Sequence, residues 1–172
     1  MLNGSLIFSD YQDDQYSVFT IDQLKLVVSR NSILSIETIL DLEPLQNENN
    51  SGCLSEFIIN NISVPIFGIN DDLDLLRSFP ASRRACLLLK SDSGKPFGIA
   101  IDTINTLENI DISIHELPGF MLFDYSPITS VLQTDEKFYG LIDNSSLASL
   151  LNVDIYYDTT KNTQSELIAS NA

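Results

Sequence analysis

The strongest constraint on this chain is the spacing of its turn residues, which cut the apolar sequence into pieces too short for most helices. Tyr16 to Ile21 and Leu24 to Val28 are two β-rich runs separated only by Asp22-Gln23. Phe57 to Ile59 and Ile62 to Phe67 flank Asn60-Asn61 in the same way, and asparagine tolerates the positive φ that a tight hairpin turn demands. Cys86 to Leu89 and Phe97 to Ile101 flank a turn at Asp92 to Lys95 containing Gly94, and Ile128 to Leu132 and Phe138 to Ile142 flank Asp135 to Lys137. Many short strands with turns between them predict an all-β barrel or sandwich rather than a βαβ architecture.

The connections carry weaker signals. A short helical or irregular stretch is expected after Val28, capped by Asn31 or Ser32, with Ile33, Ile36 and Leu40 spaced to face one way. The polar run from Glu43 to Gly52 reads as a loop, and Asp71 to Ser78 as a helical turn before Pro80. Pro65 belongs at an edge or a bulge because it cannot donate to a ladder. Asp143 to Ser146 offers caps for a closing helix, about 145–151, with Leu147, Leu150 and Leu151 on one face. The polar tail, 153–172, is expected to fray from Thr159 onward. Two halves of similar rhythm predict one barrel over about 16–80 and a second over about 84–143, preceded by an N-terminal extension, 1–15.

Several function classes are disfavoured. The 172 residues carry 24 acidic against 9 basic side chains, a formal charge of −15 that repels phosphate backbones and anionic lipid. Nucleic acid is therefore not expected as a partner. No run approaches the roughly 20 apolar residues of a membrane span, and Leu6-Ile7-Phe8 has no basic residue before it, so neither membrane insertion nor secretion is expected. A cytoplasmic protein is the resulting expectation, and Cys53 and Cys86 do not suggest a disulfide framework.

Catalytic chemistry finds little material. His115 is the sole histidine, so a thiol enzyme would have to pair it with Cys53 or Cys86. Cys86, set in an apolar strand, reads better as a small buried side chain. Asp71-Asp72-Leu73-Asp74 resembles part of a calcium loop but lacks the glycine and distal glutamate in their places. No metal site, phosphate loop or dinucleotide fingerprint is present, and no cofactor is expected.

An ordered set of segments resembles the CheW-like family. Phe97-Gly98-Ile99-Ala100-Ile101-Asp102-Thr103-Ile104 is the clearest, supported by Tyr16 to Ile21, by the apolar-Pro-apolar strand Ile62-Ser63-Val64-Pro65-Ile66, by Leu117-Pro118, and by Phe138-Tyr139-Gly140-Leu141-Ile142-Asp143 with the leucines after it. The resemblance implies two SH3-like five-stranded β-barrels packed together, with short helices. It also implies an adaptor that catalyses nothing and joins the cytoplasmic tip of a methyl-accepting chemoreceptor to the regulatory domain of a CheA-type histidine kinase. An apolar groove near the lobe junction would receive the receptor helix. The family pattern puts Ile33, Ser35, Ile36, Cys86, Ile104 and Leu107 beside that groove, and Asn60 and Asn61 in the partner-engaging hairpin. Ile36, Cys86 and Ile104 equally fit simple core positions, and exposure distinguishes the two.

Two departures bear on the partners. Asn60-Asn61 replaces the family's Arg-Gly pair, and Ser35 stands where many members have an acid. They suggest, as an alternative, an auxiliary module of a pilus-motility chemosensory system that binds kinase or another partner but no receptor.

Overall fold

The computed structural model describes residues 15–45, 51–107, 111–124 and 126–170. Among the described residues, twelve strands make two curled six-stranded sheets, followed by two helices. In chain order the strands are β1 (Tyr16–Ile21), β2 (Leu24–Ser29), β3 (Ile33–Thr38), β4 (Glu43–Pro44), β5 (Ser55–Ile59), β6 (Ile62–Phe67), β7 (Ala85–Lys90), β8 (Pro96–Ile101), β9 (Thr103–Thr106), β10 (Ser113–Glu116), β11 (Ile128–Gln133) and β12 (Phe138–Ile142). The helices are α1 (Asn144–Leu150) and α2 (Val153–Ser170).

The four expected hairpins form. Asp22, Asn60 and Asn61 take φ of 51°, 49° and 64°, the left-handed geometry that tight turns need, and Gly94 takes 80°. Asp143 caps α1, its carboxylate accepting from the Ser146 amide at 2.8 Å.

The sheets interleave along the sequence. One runs β10-β11-β12-β2-β1-β9 and the other β3-β7-β8-β6-β5-β4. The first hairpin thus joins the C-terminal strands, β2 lying parallel to β12, while β3 to β8 form the other sheet. The two curled sheets agree with the expected pair of packed β units, and the stretch from Ser78 to Arg83 lies between β6 and β7, two strands of one sheet.

Strands β7 and β8 are buried on both faces, which explains runs such as Cys86-Leu87-Leu88-Leu89. Leu87 and Leu89 enter a core shared by the sheets, with Phe19, Ile21, Leu26, Val28, Phe97, Ile99 and Ile101. Cys86 and Leu88 point the other way, into the curl of their own sheet, with Val64 and Ile66. Tyr16, Val27 and Leu132 fill the curl of the opposite sheet. The period-2 alternation of a strand distributes its side chains between these interiors. Leu147, Leu151 and Tyr156 from the helices close the shared core.

Four local expectations are corrected. The residues after Arg30–Ser32, a single 3₁₀ turn, form strand β3 rather than a helix. Their branched side chains suit a strand, and antiparallel pairing with β7 supplies the partner; Leu40, at the far end of the expected helical stripe, is 90% exposed. Asp71 to Ser78 is not helical: the Asn70 side chain accepts from the amides of Asp72 and Asp74 at 3.0 and 2.8 Å and folds the segment into a tight turn with Leu73 at φ 66°. The tail is helix α2, anchored where Tyr156 donates from its hydroxyl to Glu56 at 2.7 Å and Tyr157 to the Pro96 carbonyl at 2.5 Å. Pro65 sits between neighbours rather than on an outer edge, tolerated because the parallel ladder to β8 begins one residue later, at Ile66.

Candidate functional site

Strands β3 and β9 are the outer strands of their respective sheets among the described residues, and a groove lies between them. Its walls are Ile33 and Ile36 from β3 and Ile104, Asn105 and Thr106 from β9, with Ser17 and Arg30 at one end. The volume is about 280 Å³, at the small end for ligand pockets, so it suits side chains of a docking segment better than a free small molecule. Ile33 and Ile104 are half-buried and lean on the shared core, whereas Ile36 is 49% exposed.

Three of the eight candidate residues, Ile33, Ile36 and Ile104, therefore meet. Cys86 does not: it is wholly buried inside the β3–β8 sheet, because the curl turns its face of β7 away from the groove. Its expected place at the groove is corrected accordingly. Leu107 packs on Tyr16, Val27 and Leu132, and Ser35 lies on β3 opposite Leu88 without lining the groove. Asn60 and Asn61 are exposed at the tip of the β5–β6 hairpin. Ser17, Arg30, Asn105 and Thr106 line the groove without having been expected there; as polar residues in or beside strands they carry no local signal.

A second exposed apolar surface follows β10, where Phe120 and Phe123 are 84% and 81% exposed and Met121 and Leu122 lie between them. The signal was available, since four consecutive apolar residues after Pro118-Gly119 exceed what a soluble loop normally shows. In the strand order of their sheet β9 and β10 are the two end strands, so the groove and this loop adjoin different strands.

The chemistry of the thiols is quiet. Burial pushes Cys53 up to about 11 and Cys86 up to about 12, leaving both as neutral thiols near neutrality. His115 sits on β10, in the sheet opposite Cys86, its Nε2 within hydrogen-bond distance of Gln133 at 2.9 Å. Among the described residues no group of three His, Cys, Asp or Glu side chains is placed to hold a metal, and no helix is long and apolar enough to cross a membrane. A larger cavity of about 510 Å³ is lined by Asn31, Ser32, Lys90, Asp92 and Asn144 among others.

Among solved structures the chain is similar to the scaffolding protein TtCheW from Thermoanaerobacter tengcongensis, with a TM-score of 0.60 over 78% of this chain and 91% of that one. The chain has a CheW-like fold. Identity over the match is 14%, and no protein-family model and no curated protein matches. The CheW-like fold accounts for the two curled sheets and the core they share.

Proposed function

We propose that the chain is a non-catalytic, cytoplasmic coupling adaptor, holding the cytoplasmic tip of a chemoreceptor and the regulatory domain of a CheA-type histidine kinase together. Fold likeness to a CheW scaffold supports this reading, and one observation carries it further. Two surfaces with exposed apolar side chains, the groove at β3 and β9 with Ile36 and the Phe120–Phe123 loop, are built from different residues. A coupling protein needs two separate docking surfaces, and such apolar surfaces on a monomer commonly mark interaction sites. The groove takes the receptor helix in this reading, with Ile33, Ile36 and Ile104 as its apolar contacts.

The test is co-purification with a receptor-tip fragment and a kinase regulatory domain. Ile36→Glu, at an exposed position, is expected to abolish receptor capture, and Phe123→Glu to abolish kinase capture, each leaving the other intact. Retention of both partners by both variants would sink the assignment. The alternative, an auxiliary pilus-motility module that binds kinase without receptor, is favoured by the β5–β6 hairpin tip, which carries two asparagines in place of a cation. Capture of kinase alone by the unaltered chain would select it.

A further inference from the structure

The groove between β3 and β9 changes character along its length. Ile33, Ile36 and Ile104 give it apolar walls, whereas Arg30 and Ser17 stand together at one end. Among the described residues Arg30 is the only charged side chain lining it, in a chain whose 24 acidic side chains outnumber its 9 basic ones. A cation beside apolar walls, on a protein that is acidic elsewhere, marks the place where an incoming acid meets attraction instead of repulsion.

The donors at this end have capacity to spare. The Arg30 amide donates to the Gln15 carbonyl at 2.9 Å, which holds Arg30 against the start of β1, and its guanidinium donates to the Gln15 side-chain oxygen. A guanidinium carries five N–H donors in a fork that matches a carboxylate, so one neutral acceptor leaves most of them open. Among the described residues no carboxylate lies within ion-pair distance of Arg30. Ser17 is 5% exposed and lines the groove, and among the described residues no side chain or carbonyl accepts from its hydroxyl. A nearly buried hydroxyl that opens on a groove beside a guanidinium suits an acceptor brought from outside the chain.

We propose that the groove selects a helix carrying one carboxylate just beyond its apolar stripe, with the carboxylate seated on Arg30 and Ser17 and the stripe on Ile33, Ile36 and Ile104. The helix as occupant rests on the adaptor reading above; the carboxylate at one end adds the direction in which that helix lies. With a formal charge of −15 the chain repels acids placed elsewhere on the helix, so the pair sets register and orientation more than it adds affinity.

The probe is a stapled synthetic helix with leucines along one stripe and glutamines elsewhere, carrying a single glutamate beyond one end of the stripe, beyond the other end, or nowhere. Against the unaltered chain one of the glutamate forms should bind about two- to fivefold more tightly than the form without it, the range of an exposed ion pair, and the other should gain nothing. The gain should vanish with Arg30→Gln, survive in part with Arg30→Lys and shrink as salt rises, while far-UV circular dichroism stays unchanged because Arg30 is exposed. Equal affinity of the forms, a gain that survives Arg30→Gln, or no binding by any form overturns the proposal.

A receptor-tip fragment separates this proposal from the adaptor reading. A glutamate gain that depends on Arg30, with no capture of the fragment by the unaltered chain, would sink the adaptor reading and leave the carboxylate site standing. Capture of the fragment with the same affinity by the unaltered chain and by Arg30→Gln would overturn the carboxylate site and leave the adaptor reading standing.

Discussion

Arg83, whose side chain has no solvent exposure, donates to Asp102 Oδ2 at 2.9 Å and in doing so pins the two sheets at the point where the chain crosses between them. Asp102 is the residue between β8 and β9. The same guanidinium lies 3.2 Å from Asp22 in the β1–β2 turn and donates to the Ile69 carbonyl at 2.6 Å. The Asp22 amide closes the ring by donating to Asp102 at 2.6 Å. Removing one member of a buried pair leaves an uncompensated charge, which costs about 3–5 kcal/mol. Arg83→Ala should therefore lower stability by that amount in urea unfolding. The double variant Arg83→Met with Asp102→Leu should recover part of the loss, because it removes the buried pair together and leaves the more exposed Asp22 carboxylate without its partner. Equal destabilisation in the two would show that the charges are not the cause.

Gly98 lies where β8 passes closest to the interior of its own sheet. A β-carbon there would sit 2.5 Å from Ile66, 2.6 Å from Leu88 and 2.9 Å from Cys86, inside van der Waals contact with all three. Gly98→Ala is expected to cost about 1–3 kcal/mol through overpacking. Combining it with Leu88→Val should cost less than the sum of the two single changes. Additive losses would argue that backbone conformation, rather than space, requires the glycine.

The two buried thiols give a signed pH dependence. Burial raises Cys53 from 9.0 to about 11 and Cys86 from 9.0 to about 12, so the folded protein holds protons that the unfolded chain releases. Their contribution to stability is complete below pH about 9 and is lost as pH rises from there through 11 to 12. The urea midpoint should fall between pH 8.5 and 11 for the unaltered chain and fall less for Cys53→Ala with Cys86→Ala. Some slope remains in the variant, since burial also raises Tyr156 and Tyr157. At neutral pH, disulfide reagents should label neither cysteine until the chain is unfolded; rapid labelling of the native protein would revive a thiol-dependent activity.

The sequence showed what is local and hid what is not. Asp22, Asn60, Asn61 and Gly94 announce their turns because backbone geometry at those positions is a property of the residue itself. Ile33, Ile36 and Leu40 fit a helix as well as a strand, and only β7, some fifty residues away, decides between them. β10 is exposed along its whole length and has a single large apolar side chain, Ile114, so nothing but its pairing with β11 marks it as a strand. The groove was half legible: Ile33, Ile36 and Ile104 came from resemblance to a family, whereas placing Cys86 required knowing which way the sheet curls. Residues beyond Thr159 look too polar for ordered structure, yet the helix that holds them is fixed upstream, by Tyr156.

The interleaving of the sheets gives synthesis on the ribosome an unequal timetable. At about 5–20 residues per second, the hairpin β1–β2 emerges first but must wait for strands β9 to β12 before its sheet exists. The β3–β8 sheet has all its strands as soon as Ile101 is out. For those seconds the nascent chain carries one sheet with all its strands and one stranded hairpin whose Phe19, Ile21, Leu26 and Val28 already have part of their final core to rest on. The later sheet is then assembled on the earlier one as its template, and a ribosome stalled between Ile101 and Ser113 would leave a species with an open strand edge, the kind most exposed to aggregation.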